Sequence, residues 1–238
     1  MVGIGPGGPA DRTHRAEAAI ADSQVLVGYS RYLRAIEDLS AGKILISSGM
    51  KEEVVRCRLA LERAQAGATV ALISSGDAGV YGMAGLALEL AHAERIAAPI
   101  EIVPGVTAAS AAAARLGAPL MLDFAVISLS DLMIPWETIR RRVEAIAAAD
   151  MVLALYNPRS VTRVKQLEET VEILLRQRAA ATPVGIARAV GSPDEQIRLS
   201  TLGGLLAEDI DMRTVLIIGN SMSQVLDGWL VTCRGYKV

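Results

Sequence analysis

Three glycine-bearing segments in the first half of the chain have the residue types needed to hold a polar ligand against bare backbone. The first, Gly3-Ile4-Gly5-Pro6-Gly7-Gly8, fits the spacing G-x-G-x-x-G of a dinucleotide phosphate loop. Two features argue against that use. Pro6 has no N–H to offer a phosphate, and the next apolar run, residues 25–27, leads into Gly28-Tyr29 rather than an acidic residue able to hold a ribose hydroxyl. The glycines still permit sharp turning and close approach, whether for structure alone or for a ligand. The second segment, Ser74-Ser75-Gly76-Asp77-Ala78-Gly79-Val80-Tyr81-Gly82, reads as a strand-to-helix loop, placed at the carboxyl edge of a parallel sheet where open α/β folds bind ligands. Asp77 in it suits two roles, acceptor for a ligand hydroxyl or ammonium and cap of a helix expected near Val80. The third, Val103-Pro104-Gly105-Val106-Thr107-Ala108, repeats the design. Thr107 there is either the helix cap or the neighbour of free N–H groups suited to a carboxylate. A shorter loop, Tyr156-Asn157-Pro158-Arg159, follows the apolar run 151–155.

Other chemistries find little support. His14 and His92 have no acidic or cysteine neighbours at ligand spacing and lie in helix-like surface stretches, and the two cysteines are far apart. We expect no metal site, no disulfide and no Ser/His/Asp constellation. Arg140-Arg141-Arg142 reads as a solvated helix face, with an anionic partner as the lesser reading.

The elements that must position these loops follow from periodicity. Short apolar runs bounded by turn residues occur at 25–27, 43–46, 69–73, 100–103, 124–127, 151–155, 184–187 and 215–218. Helix-like stretches separate several of them, with apolar residues three or four apart, as in Val54, Leu59 and Leu61 or Val164, Leu167, Val171 and Leu174. Strands joined by helical crossovers form parallel sheets. After the alanine-rich helix 107–115 the rhythm changes and Pro119 forbids continuation. The closely spaced runs 196–199, 215–218 and 229–232 suit partly antiparallel pairing. The expected fold is α/β in two domains, 1–117 and 118–238, with a mainly parallel sheet in the first and a mixed sheet in the second.

Composition agrees with that reading. The chain has 238 residues, 52% of them hydrophobic, and 24 Lys and Arg balance 26 Asp and Glu to a formal charge of −2. Near-neutrality, with two Trp, five Tyr and one Phe, argues against a nucleic-acid surface of basic stripe and stacking rings. The longest charge-free runs, such as 102–114, fall short of the ~18–20 residues a helical membrane span needs. With no signal-peptide pattern at the start, a cytoplasmic protein with no membrane partner is expected.

Taken in order, the loops resemble one family, the tetrapyrrole methylases of cobalamin biosynthesis. Gly3-Ile4-Gly5-Pro6-Gly7 is similar to its first glycine loop, Gly76-Asp77 with Tyr81-Gly82 to its Gly-Asp loop, and Val103-Pro104-Gly105-Val106-Thr107 to its third signature. Further segments resemble the group that methylates C17 and contracts the ring. They are Val27-Gly28-Tyr29-Ser30-Arg31-Tyr32-Leu33, Ile127-Ser128-Leu129-Ser130-Asp131-Leu132 with Pro135-Trp136, Ala154-Leu155-Tyr156-Asn157-Pro158-Arg159-Ser160 and Ile218-Gly219-Asn220-Ser221. Ala78, where relatives acting at other carbons commonly have Pro, points the same way.

The resemblance implies two α/β domains with S-adenosyl-L-methionine in the cleft between them, S-adenosyl-L-homocysteine as its product, and a homodimer. Carried over residue by residue, it places the cofactor against Pro6, Gly76, Asp77, Val80, Tyr81, Thr107, Ala108, Tyr156, Asn157, Gly185, Ile186 and Ala187. The implied substrate is a tetrapyrrole, either precorrin-3B or its cobalt-bearing counterpart, and an acceptor methylated at another ring carbon is the nearest rival. Ring contraction needs proton movement at an oxygenated meso carbon, for which Asp131, Ser128 and Ser130 are candidates; a capped turn before a helix at Pro135 explains them equally well. Arg159, Arg188 and Arg213 are candidates for the substrate's carboxylates. Leu122 stands where the group often has His, and Cys233 where Pro is usual. A non-catalytic sensor that binds cofactor or tetrapyrrole is the rival of another class.

Overall fold

The computed structural model describes residues 1–237, which divide into two compact units: Met1–Ala108 with Gly191–Pro193, and Ala109–Val190 with Asp194–Val238. The division falls one helix before the expected boundary at 117/118, because the alanine-rich helix makes its contacts with the second unit.

The first unit alternates strand and helix. Its elements are β1 (Val2–Gly3), α1 (His14–Ala21), β2 (Val25–Tyr29), α2 (Ser30–Arg34), β3 (Ile44–Ser48), α3 (Glu53–Gln65), β4 (Val70–Ser74) and α4 (Ala84–Ala93). The four strands are all parallel, in the order β1-β4-β2-β3. Period-two alternation sends Leu26, Ala71 and Ile73 to one face, with Ala16, Ile20 and Leu33, and Val25, Val27 and Leu72 to the other, with Cys57, Ala60 and Ala87. Both faces are thereby covered, the condition under which a parallel sheet is stable.

Two expectations for this unit are corrected. The run 100–103 forms no strand; only Val103 bridges to Val2, its N–H donating to the Met1 carbonyl at 2.8 Å. Pro99 and Pro104 bracket it and cannot donate to a ladder. On α3, Val54 is 45% exposed, and the buried face is Arg56, Cys57, Ala60 and Leu61.

The second unit contains α5 (Ala108–Leu116, all but its first residue), β5 (Gly117–Ala118), β6 (Phe124–Ser128), α6 (Trp136–Ala148), β7 (Val152–Tyr156) and α7 (Lys165–Leu175). It continues through β8 (Pro183–Arg188), β9 (Gln196–Thr201), β10 (Thr214–Ile218), β11 (Ser223–Leu226) and β12 (Trp229–Thr232). Its main sheet runs β6-β7-β10-β8-β9, parallel between β6 and β7 and antiparallel elsewhere, a mixed sheet as expected. Ile139, Val143 and Ala147 of α6 and Leu167, Val171 and Leu174 of α7 close its core. A small three-stranded sheet, β11-β12-β5, was not foreseen, because β5 is two residues long and pairs with β12 more than a hundred positions away.

Candidate functional site

In the first unit the three glycine loops meet backbone to backbone at the carboxyl edge of the parallel sheet. Gly5 and Gly76 exchange hydrogen bonds, N to O at 3.1 Å and 2.8 Å, which joins the loops after β1 and β4. A Cβ on Gly3 would stand 2.8 Å from both the Gly105 nitrogen and the Gly76 carbonyl oxygen, and one on Gly105 only 2.2 Å from that oxygen. No side chain fits at those two contacts, which is the physical reason for the glycines.

Asp77 binds this arrangement together. Its Oδ1 accepts from the Gly79 N–H at 2.7 Å and its Oδ2 from the Gly105 N–H at 3.0 Å, so one carboxylate ties the second loop to the third. It is not the helix cap: α4 begins at Ala84 with Met83 at the cap position. Tyr81 at φ +53° turns the chain out of helical conformation first, and Gly82 lies so close to the Ala78 carbonyl that a Cβ would come within 2.4 Å.

Around the Cβ position of Gly76, itself at φ +63°, the nearest atoms are the Ala108 nitrogen and Val106 carbonyl oxygen, both 3.9 Å away, and the Thr107 Cα at 4.0 Å. These are ordinary van der Waals separations, so the Gly76 backbone and the Val106 carbonyl and Ala108 nitrogen of the third loop form a close-set cradle of main-chain groups, and Val80 and Tyr81 of the second loop are exposed. Such a cradle fits an adenosine or an amino-acid tail held by main-chain groups. The first loop does not open a helix in the dinucleotide manner: Pro9–Asp11 is a single 3-10 turn, and α1 starts at His14 behind a Thr13 cap.

In the second unit the loops after β6 and β7 lie side by side, since Ser128 and Tyr156 are register partners. Ser128 Oγ accepts from the Ser130 N–H at 3.2 Å and from Asn157 Nδ2 at 2.9 Å. Asn157, at φ +49°, accepts at its carbonyl from Arg163 Nη1 at 2.7 Å. Arg163 Nε in turn stands 3.9 Å from Asp131 Oδ1, and Asp131 Oδ2 accepts from Gln166 Nε2 at 2.7 Å. Ser128, Asn157 and Asp131 therefore belong to one polar network whose centre, Arg163, is only 9% exposed. Burial draws the guanidinium below its ordinary value, with Asp131 acting the other way. Arg163 and Gln166 were missed in the sequence, where they stand among unremarkable polar residues just before and in the first turn of the amphipathic helix α7.

The remaining expected residues fall in different surroundings. Tyr156 Oη accepts from the Ala109 N–H at 2.8 Å, so one first-turn donor of α5 is already engaged. Ile186 and Ala187 are fully buried in β8, and a Cβ on Gly185 would stand 2.4 Å from Leu116 Cδ1. Arg188 pairs with Asp211 at 2.9 Å and Arg213 with Asp194 at 3.2 Å. Burial pushes Asp211 up, but the Arg213 N–H, Arg188 and the Thr214 hydroxyl outweigh it and hold the carboxyl below its ordinary value. Arg159 is half-buried and has no carboxylate partner among the described residues. Arg140 answers to Glu137 at 2.7 Å and Glu144 at 3.1 Å, which accounts for part of the basic run on α6. His14 and His92 are exposed on α1 and α4.

Comparison with known proteins is consistent throughout. Residues 1–206 match the model of the Tetrapyrrole (Corrin/Porphyrin) Methylases. Over all of its length the chain is 45% identical to the probable cobalt-factor III C(17)-methyltransferase of Salmonella typhimurium, covering 99% of that protein. It is 42% identical to the precorrin-3B C(17)-methyltransferase of a Sinorhizobium species, across 95% of this chain and 90% of that one. Among solved structures it is similar to the methyltransferase CobJ, with a TM-score of 0.90, 36% identity and 98% of each chain covered.

Proposed function

The chain belongs to the tetrapyrrole (corrin/porphyrin) methylases, and on that footing we propose that it methylates C17 of a corrinoid precursor with S-adenosyl-L-methionine. The observation that carries this reading is the 45% identity, over 99% of its length, to a relative bearing that activity in its name. The two acceptors printed for the relatives, cobalt-factor III and precorrin-3B, are the two proposed for this chain. Ring contraction accompanies the transfer in this proposal.

When bound, the cofactor supplies an electrophilic methyl group on a sulfonium, so the chemistry asks for alignment more than for a nucleophilic side chain. The cradle at Gly76, Val106 and Ala108 would hold the donor through main-chain groups, and Val80 and Tyr81 would shield it from water. Pro6 and Asp77 keep the cradle in shape: the loop of the first is bonded to Gly76, and the second ties Gly79 to Gly105. Tyr156, Asn157, Gly185, Ile186 and Ala187 of the second unit are proposed for the cofactor by resemblance alone. Arg159, with no carboxylate partner among the described residues, is proposed for a substrate carboxylate; Arg188 and Arg213, the other two candidates, already hold internal carboxylates. Asp131, with Ser128 and Ser130, is proposed to move the proton of ring contraction. A homodimer and a cytoplasmic location belong to the same proposal. No helix of the described residues is long and apolar enough to cross a membrane.

A thermal-shift comparison tests the cofactor class. S-adenosylhomocysteine is expected to raise the melting temperature as a ligand of the native state does, and NAD to leave it unchanged. A shift with NAD alone would overturn the reading.

A further inference from the structure

Arg56 is the least expected residue of the first unit. It lies on the buried face of α3, 3% exposed, and forms no ion pair among the described residues. Its hydrogen-bond partners are all neutral: Nε donates to Ser48 Oγ at 2.7 Å, Nη2 to the Gly49 carbonyl at 2.6 Å and Nη1 to Met83 Sδ at 3.3 Å. The guanidinium carbon sits 5.9 Å from the centre of the Tyr29 ring, which meets Tyr32 edge to face at 5.3 Å. Glu52, one turn earlier, spends its carboxylate on the Gly49 N–H, and Glu53 is exposed.

A buried cation is ordinarily matched by a carboxylate, because neutral acceptors compensate its lost hydration poorly. A thioether is the weakest acceptor in the protein inventory, so Nη1 is the least satisfied nitrogen here. Met83 is also the partner most easily displaced, its side chain being unbranched and flexible. The location has meaning as well. Tyr29 ends β2, Ser48 ends β3 and Met83 closes the loop after β4, so the guanidinium lies at the carboxyl edge of the parallel sheet, where ligands of open α/β folds are received. Tyr29 and Tyr32 lie in the segment 27–33, which resembles the C17-methylating group.

We infer that Arg56 is a receptor for a carboxylate of the bound ligand, which takes the place of the Met83 sulfur, with Tyr29 and Tyr32 as the wall against which that ligand packs. This rests on the macrocycle-methylating reading, and the carboxylate assigned to Arg56 is a peripheral acetate or propionate of the tetrapyrrole. The methionine carboxylate of the cofactor has the same chemistry and is distinguished by the test.

The probe is uroporphyrin III, a tetrapyrrole octacarboxylate, titrated by fluorescence beside S-adenosylhomocysteine. Loss of a charged hydrogen bond predicts that Arg56→Gln weakens uroporphyrin binding about tenfold or more, and leaves S-adenosylhomocysteine within about twofold. Arg56→Lys, keeping the charge without the fork, should recover part of the loss. In methyl-transfer assays the loss should appear in the KM for the macrocycle and not in kcat. Wild-type protein gives an independent readout that needs no variant: uroporphyrin should slow hydrogen exchange across residues 48–56, and S-adenosylhomocysteine should not. A folded Arg56→Gln with wild-type uroporphyrin affinity, or wild-type protein showing no protection of that segment, overturns the inference. So does a loss confined to S-adenosylhomocysteine, which would give Arg56 to the cofactor. Absence of methyl transfer by wild-type protein to either corrinoid precursor would sink the proposed function while leaving the Arg56 site supported by its binding data.

Discussion

Asp131 and Asp211 show how much a carboxylate's partners decide what it can do. Asp131 lies beside a buried guanidinium and accepts from Gln166, an arrangement that keeps it oriented at the loop after β6. If it moves the proton of ring contraction, Asp131→Asn should leave methyl transfer intact and lower the rate of contraction by roughly 10²-fold or more, the scale of general acid–base catalysis. Product analysis by mass and absorbance checks this, and contraction at the wild-type rate would remove Asp131 from the mechanism. Asp211 has no such task. Its carboxyl is held below the ordinary value in the folded protein, so its stabilising contribution is present at neutral pH and is lost as pH falls from about 4 through the folded value. Urea midpoints of Asp211→Asn and wild type should therefore differ at pH 7 and converge as the pH falls through the folded value. The glycines at 3, 76 and 105 were legible as a cluster because turn chemistry is local. Arg56 and Arg163 were not: the groups that explain their burial lie elsewhere in the chain, at Tyr29 and Met83 for one and at Asp131 for the other.

At the scale of elements, the loops work as one object because a single side chain joins two of them. Asp77→Ala would strand the N–H groups of Gly79 and Gly105, at a cost of roughly 1–3 kcal/mol for an unsatisfied donor. A lower melting temperature with a several-fold weaker S-adenosylhomocysteine affinity is expected, and unchanged affinity would show that the loop geometry is not what holds the cofactor. The packing of α5 on β8 is as specific. Gly185→Ala drives a methyl group into Leu116, which should cost about 1–3 kcal/mol by overpacking. In a Leu116→Ala background the same change should cost close to nothing, a non-additivity that denaturant unfolding of the four proteins in the cycle reads directly. Most strands could be read from apolar runs because burial on both faces leaves no other pattern. The exceptions had physical reasons. Residues 100–103 are fenced by prolines, β5 is too short to leave a signature, and α4 starts late because Tyr81 leaves helical φ.

For the whole molecule, a charge of −2 conceals how the cations are used. Arg188 and Arg213 are matched by Asp211 and Asp194, Arg140 by two glutamates, and Arg163 by Asp131. Arg56 and Arg159 have no such partner among the described residues, and both are proposed to meet a polyanionic ligand. The family was legible from the loops because their order along the chain is itself a constraint that few folds share. Methyl transfer to C17 is read by position-resolved labelling. Protein incubated with carbon-13 methyl-labelled S-adenosyl-L-methionine and either precorrin-3B or cobalt-factor III should give a ring-contracted product carrying the label at C17. Label at any other ring carbon, or no transfer to either acceptor by protein that binds S-adenosylhomocysteine, would contradict the account.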